Sequence, residues 1–543
     1  MRVFRKRLTN VMALILSAIM LFAFGCGGKV VQEYDSSKTQ IFVYYIDGDT
    51  QVNWLKQAAN DFNALPDNSE YQVVPISTTN DQYETMLSSK GGPAHAYLTT
   101  SSSLATMIDG GSIADLSSIL TMEVDNGTVA NKFQDLDSYK ALYSTKTNKG
   151  LYAVPLSTTP MHIIFDFDLF KDNGWLIYQT DEHGDIIRGD DDEPKLSVGH
   201  DGKEGTYDDG QPVNVEEWET MMDRISKADD TKAFLYSTKY DFYIEQPLQS
   251  LIAQYGGFEA YQAFVNGYGS YYDKDGNIVN VDLSEGYKVY EMPAIEQAIT
   301  FMAKWMVKDE KYVHEKSWDT TETSHRDAQQ TFVTGYDTRV QQAAFLVEGA
   351  YWEIGLKSYF DLLVKRGDSD RGYGKRNFRY MLFPRFNDYS DVSYITSTTT
   401  GSMIVSNDKN SALLEKTKEF VAFTLQDKYL QQYTLDTGVK RPFDYSLTSP
   451  QMSQLTPFQS TTFEMLSDTE NVKLITEADT AQGNPEVLGH IKFNKKGYTF
   501  ASTMPDGEYQ RPLGILRRYS AQEFAQGLLR FKTSQWQTAT FYD

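Results

Sequence analysis

The sequence predicts an α/β protein large enough for two cores, and three observations carry that expectation. Strand-like and helix-like runs alternate from Ile41 onward, the order that builds a sheet with helices packed against it. Hydrophobic residues make up 41% of the 543, ample for two sizeable cores in a chain longer than one ordinary domain. No short repeat or heptad array interrupts the alternation.

The N-terminus stands apart. Arg2, Arg5, Lys6 and Arg7 precede the largely apolar run VMALILSAIMLFAF, too short and too close to the terminus for a permanent span, so it reads as an export signal. Ala23 and Gly25 stand third and first before Cys26, the only cysteine in the chain. This resembles the lipobox of bacterial lipoproteins, although leucine is more usual where Ala23 stands. The resemblance implies that residues 1–25 are a cleaved signal peptide and that the Cys26 thiol carries diacylglycerol. The plainer alternative is an ordinary secretory signal with a leftover thiol. Residues 26–36 are small or polar enough for a short tether to a membrane reached through that lipid alone.

The elements follow in order. IFVYYI (41–46) is aromatic and β-branched, a buried strand, and WLKQAANDFNAL repeats apolar residues at helical spacing. YQVVPI is the second strand, AHAYLTT the next, and GLYAVPLSTTPMHIIFDFDLFKDNGW holds two strand-like runs around a polar STTP. The acidic, glycine-rich stretch at 180–212 reads as a surface excursion; calcium is the one ion it suggests, but it lacks the DxDxDG order of an EF-hand loop. No other metal or cofactor is expected. VNVEEWETMMDRISKA is a helix entered at Val213–Asn214, and IEQAITFMAKWMV another, while YGSYYDKDGNIVNV (268–281) is a turn-linked excursion. TGSMIVSND is a late strand and turn; SALLEKTKEFVAFTLQDKYLQQYTL and YSAQEFAQGLLRFKTSQWQ are helical.

Charge narrows the function. A formal net charge of −23, more negative once the signal's basic residues are removed, argues against nucleic acid or anionic lipid headgroups as the main ligand. GxSxG, HExxH and GxxxxGK[ST] are all absent from the sequence, so no nucleophile elbow, zincin helix or phosphate loop is announced.

Several blocks in sequence order resemble the family 1 extracellular solute-binding proteins, lipoprotein receptors of carbohydrate ABC importers in Gram-positive bacteria. They are IFVYYIDGD with WLKQAANDFNAL, GGSIADLSSIL, GLYAVPLSTTPMHIIFDFDLFKDNG, HDGKEGTYDDGQPVNVEEW, AAFLVEGAYWEIG and TGSMIVSNDKNSALLEKTKEFVAF. The resemblance implies a two-lobed periplasmic-binding-protein-like fold of class II, with discontinuous lobes around a ligand cleft. One lobe is placed at 37–154 plus 398–440 and the other at 155–397 plus 441–543.

A sugar offers hydroxyls at its edge and C–H groups on its face, so recognition needs polar groups around the rim and an aromatic ring beneath. Trp352, just beyond an apolar run and a glycine, is the first candidate for stacking; its alternative is a place in the core. Tyr351 and Glu353 flank it. Asp47 and Asp49 follow the first strand and can accept hydrogen bonds or simply form the turn, and Tyr45 is either ligand contact or strand core. Ser101 and Ser102 follow the AYLTT strand, Ser157 and Thr158 sit on the crossover, and Arg441 in TGVKRPF either donates to a sugar or ties the lobes together. The leading expectation is a monomeric, non-catalytic receptor, lipid-anchored outside the cytoplasmic membrane, that delivers a mono- or oligosaccharide to ABC permease subunits. An anchored glycoside-processing enzyme and a non-transport sensing or adhesion protein are the alternatives.

Overall fold

The computed structural model describes residues 35–46, 52–78, 93–99, 104–145, 147–240, 242–318, 322–335, 341–386, 392–399, 401–407, 410–475, 516–517, 520 and 522–523. Its strands, in chain order, are β1 (Thr39–Ile46), β2 (Tyr71–Thr78), β3 (Ala96–Thr99), the hairpin β4 (Glu123–Val124) and β5 (Gly127–Thr128), and β6 (Val154–Pro155). β7 (Thr158–Asp166) and β8 (Thr231–Leu235) follow, then the hairpin β9 (Gly269–Tyr272) and β10 (Ile278–Val281). The last are β11 (Gln342–Gly349), β12 (Phe378–Met381), β13 (Ser393–Thr399), β14 (Ser402–Val405) and β15 (Val472–Ile475).

Two large sheets result, one per lobe. The first runs β2-β1-β3-β14-β6, with β1 parallel to β2 and β3, and β14 antiparallel to β3 and β6. The second runs β15-β13-β7-β11-β8, with β12 also on β7. This is the mixed α/β, two-lobed class II architecture that the resemblance implied. β14 enters the first sheet from the far end of the sequence, so that lobe is discontinuous.

Packing follows the periodicities. The Asn53–Asn63 helix buries Trp54, Leu55, Ala58, Ala59 and Phe62, a stripe at helical spacing, into the first core with Val43, Ile404, Phe420 and Tyr433. The second sheet is covered on both faces, as alternation along its strands requires. Phe165, Phe345 and Val347 point into one cluster with Trp218; Ile164 and Leu346 point into another with Phe360 and Phe458. The expected helix entry at 213–214 is seen in detail: Asn214 caps the Val215–Ser226 helix, its Oδ1 accepting the Glu217 N–H at 2.9 Å. Asn214→Ala is expected to lower stability by about 1 kcal/mol; an unchanged denaturant midpoint would mean the cap does not form.

Two excursions differ from plain surface loops. The 268–281 segment is the β9–β10 hairpin, with Ile278 opposite Tyr272. The acidic stretch starts exposed but ends tucked in. Gly199, at φ +62°, lets the Asp208 carboxylate accept the His200 and Asp201 N–H groups at 2.6 and 3.0 Å, and a Cβ at Gly199 would meet the Asp208 carbonyl oxygen at 2.4 Å. Gln211 then bridges to β12, donating to the Tyr380 carbonyl and accepting from Leu382 N–H. The Asp208 carboxylate thus holds a turn, and among the described residues no group of three or more His, Cys, Asp or Glu side chains gathers as a metal site. Among the same residues no helix is long and apolar enough to cross a membrane. The helical reading of 519–537 falls mainly outside the described residues.

Candidate functional site

The strand directions define where the lobes meet. β6 ends at Pro155 in the first sheet and β7 begins at Thr158 in the second, so Leu156 and Ser157 carry the chain across. β13 returns beside it, with Thr399 opposite Thr158, and β14 starts at Ser402 in the first sheet. β11 is antiparallel to β7 and places Gly349 opposite Met161; β8 is parallel to β11. The ends of β8 and β11 therefore emerge at the edge where the chain crosses.

Three hydroxyls form a chain across this seam. Ser157 Oγ lies 2.9 Å from the Tyr351 hydroxyl, which lies 3.0 Å from the Tyr433 hydroxyl. Ser157 belongs to the crossover, Tyr351 follows β11 in the second lobe, and Tyr433 lies on the Asp427–Thr437 helix of the first. Arg441 joins them. Its Nη2 donates to the Pro155 carbonyl at 3.0 Å, and its guanidinium carbon lies 5.5 Å from the Trp54 and Tyr433 ring centroids and 4.9 Å from that of Phe443. Burial pushes the Tyr351 phenol well above its ordinary value, so it remains a neutral donor and acceptor at any physiological pH.

Other candidates lie elsewhere. Trp352 is 2% exposed, and the rings of Phe332, Phe360, Phe378 and Phe458 stand around it at centroid distances of 4.9 to 6.1 Å. As packed, it is a core residue of the second lobe, because its neighbour Tyr351 takes the direction toward the seam. Tyr45 is buried in the first core. Glu353 is also buried, with Oε2 accepting the Thr456 hydroxyl at 2.5 Å and Oε1 lacking a partner. Thr158 is the first residue of β7. Cys26, Asp47, Asp49, Ser101 and Ser102 lie outside the described residues.

The segment after β8 holds residues that the sequence did not single out. Tyr240 and Phe242 are 39% and 38% exposed, with ring centroids 6.2 Å apart. His325 lies 5.9 Å from the Tyr240 ring. Behind them Tyr243 packs on Phe242 at 4.3 Å and donates to Glu348 Oε1 at 3.0 Å. Glu348 also accepts from Gln329 Nε2 and its Oε1 from Gly349 N–H. The available signal was three aromatics within four residues, YDFY, beginning at Tyr240 a few residues beyond β8.

The whole arrangement, two sheets joined by adjacent crossings with polar groups at the seam, suits enclosure of a ligand. The family model described as "Bacterial extracellular solute-binding protein" matches residues 57–457. The chain belongs to that family. Solved structures similar to this solute-binding protein include a chitin oligosaccharide binding protein, at 14% identity and a TM-score of 0.53, covering 93% of this chain and 99% of that one. The apo-form of RafE from Streptococcus pneumoniae has 12% identity and a TM-score of 0.53, covering 93% of this chain and 100% of that one. A probable secreted solute-binding lipoprotein from Streptomyces coelicolor also has 12% identity and a TM-score of 0.53, with 91% and 98% covered. At such identities the likeness is one of fold. No curated protein sequence matches this solute-binding protein.

Proposed function

We propose that this solute-binding protein is a non-catalytic extracellular receptor, anchored through Cys26, that encloses a saccharide between its lobes and presents it to an ABC permease. The observation that carries the reading is the pair of exposed rings, Tyr240 and Phe242, at the edge where β8 and β11 meet the seam. Exposed aromatic faces suit the C–H face of a pyranose, and the Ser157, Tyr351 and Tyr433 hydroxyls at the crossing are of the type that pairs with sugar hydroxyls. Closure supplies selectivity, since a mismatched sugar leaves buried donors or acceptors unpaired at about 1–3 kcal/mol each. The fold relative described as a chitin oligosaccharide binding protein supports the ligand class. Lipid attachment would keep the receptor near its permease even where their mutual affinity is weak.

A thermal-shift titration of the folded chain with mono-, di- and oligosaccharides tests this reading. At least one sugar is expected to raise Tm with concentration. Phe242→Ala is expected to weaken that binding by about tenfold while leaving the unliganded Tm nearly unchanged, because the ring is already part-exposed. Absence of stabilisation by every sugar would overturn the saccharide reading; undiminished binding in the variant would remove the platform from it.

A further inference from the structure

Among the described residues, two adjacent buried cations, Lys440 and Arg441, have no counter-ion, and Arg441 lies at the lobe seam. Arg441 is 1% exposed and Lys440 6%. Of the five N–H donors of a guanidinium, Arg441 uses one on Pro155, and its Nε and Nη1 have no hydrogen-bond partner among the described residues. Among those residues no carboxylate lies within ion-pair distance of either cation. Asp444 acts on Lys440 only from farther away. Aromatic rings take the place of carboxylates: Trp54, Tyr433 and Phe443 around Arg441, and Tyr445 and Phe463 at 5.5 and 5.7 Å from Lys440 Nζ.

That arrangement is unexpected in a chain with 74 acidic residues against 51 basic ones. A charge removed from water without a paired opposite charge costs several kcal/mol. Burial pulls Lys440 down to about 8 and Arg441 to about 10, the direction expected of cations short of a partner. The position is also specific. Arg441 reaches the crossover through Pro155 and is close enough to Tyr351, just after β11, for the phenol to act on its charge. An anion arriving at this seam would meet a planar donor fork and hydroxyls from both lobes.

We propose that the seam receives the carboxylate of an acidic saccharide, with Arg441 as its principal donor and Lys440 as the supporting charge. This rests on the saccharide-binding reading above and names the class of sugar. A carboxylate matches the guanidinium plane and can take two parallel N–H bonds, stronger than those of a neutral hydroxyl. A neutral sugar would leave both cations unpaired.

The test is a binding titration of the full chain, purified in mild detergent, against galacturonate and digalacturonate beside galactose and galactobiose, with galactose 6-sulfate as a further arm. The acidic sugars are expected to bind at least tenfold more tightly than their neutral counterparts, with the difference shrinking as salt is raised. Arg441→Gln is expected to abolish the preference, and Lys440→Met, which keeps the Arg441 packing, to reduce it should the first variant fail to fold. Equal or tighter binding of the neutral sugars would overturn the acidic assignment and leave the receptor reading standing. Preference for the sulfate would overturn the carboxylate geometry. Binding of none of them, while other sugars bind, would also defeat the inference, whereas binding of no sugar at all would defeat both readings.

Discussion

Replacing Trp352 by alanine is expected to destabilise the protein by about 3–5 kcal/mol, the range for deleting a large aromatic from a packed core. The indole is ringed by Phe332, Phe360, Phe378 and Phe458, and these come from three helices and from β12. Little of that shell can collapse into the vacated space, because Phe378 is held in the sheet and Phe458 on the Pro457–Ser467 helix. Denaturant unfolding of the unliganded chain decides the matter. A large drop in midpoint identifies a packing residue. Unchanged stability with lost sugar binding would instead return Trp352 to the ligand.

The second large effect is the loss, as pH rises from about 4.5 to about 7, of the stability that Glu348 and Glu353 contribute, which runs against the gain from His162 and His200, each pulled down by burial to about 3. Burial pushes Glu348 and Glu353 each up from 4.5 to about 7. For Glu348 the donors Gly349, Gln329 and Tyr243 offset part of the burial. For Glu353 the Thr456 hydroxyl does so, and the Gly374 amide also favours the ionised form without reaching hydrogen-bond geometry. Because the folded state holds these protons more tightly than the unfolded chain, their contribution is full below the unfolded value and is lost as pH passes the folded one. At about 1.4 kcal/mol per pH unit, each group is worth roughly 3 kcal/mol between the two limits. Glu353→Gln keeps a carbonyl for Thr456 and cannot ionise, so its stability relative to the parent chain is expected to rise across this window. Superimposable curves would show that the carboxylate is not buried as described.

These residues also show what the amino-acid order reveals. β1, β2 and the Asn53–Asn63 helix were legible because burial imposes periods of two and 3.6 on their side chains. The late strand β14 was legible as a strand and the family resemblance assigned it to the first lobe, whereas its place between β3 and β6 emerges only in the fold, since local pattern carries no information about a partner some 300 residues away. At the site, Ser157, Tyr351 and Arg441 were candidates by residue type and position, and the fold brings them together. The sequence favoured Trp352 over Tyr351 because it stands just beyond an apolar run and a glycine, but neighbouring side chains at a strand exit turn apart, and periodicity does not say which one faces the seam. Tyr433 and Trp54 sit at helical spacing and look like ordinary core. Tyr240 and Phe242 follow a strand that looks like many others, and only its direction against β11 reveals the edge they occupy.

The position of β14 also constrains the order of assembly. A chain made from its N-terminus has produced β1, β2, β3 and β6 long before β14 exists, and until then β3 and β6 have no strand between them. Each offers an open hydrogen-bonding edge, the kind of surface on which strands from other molecules add. The first lobe therefore closes its sheet only when the last third of the polypeptide arrives, and a chain halted before residue 402 carries an unfinished sheet. Folding of this lobe is expected to wait until about three-quarters of the chain has been made, which makes premature truncation a route to aggregation rather than to a stable half-molecule.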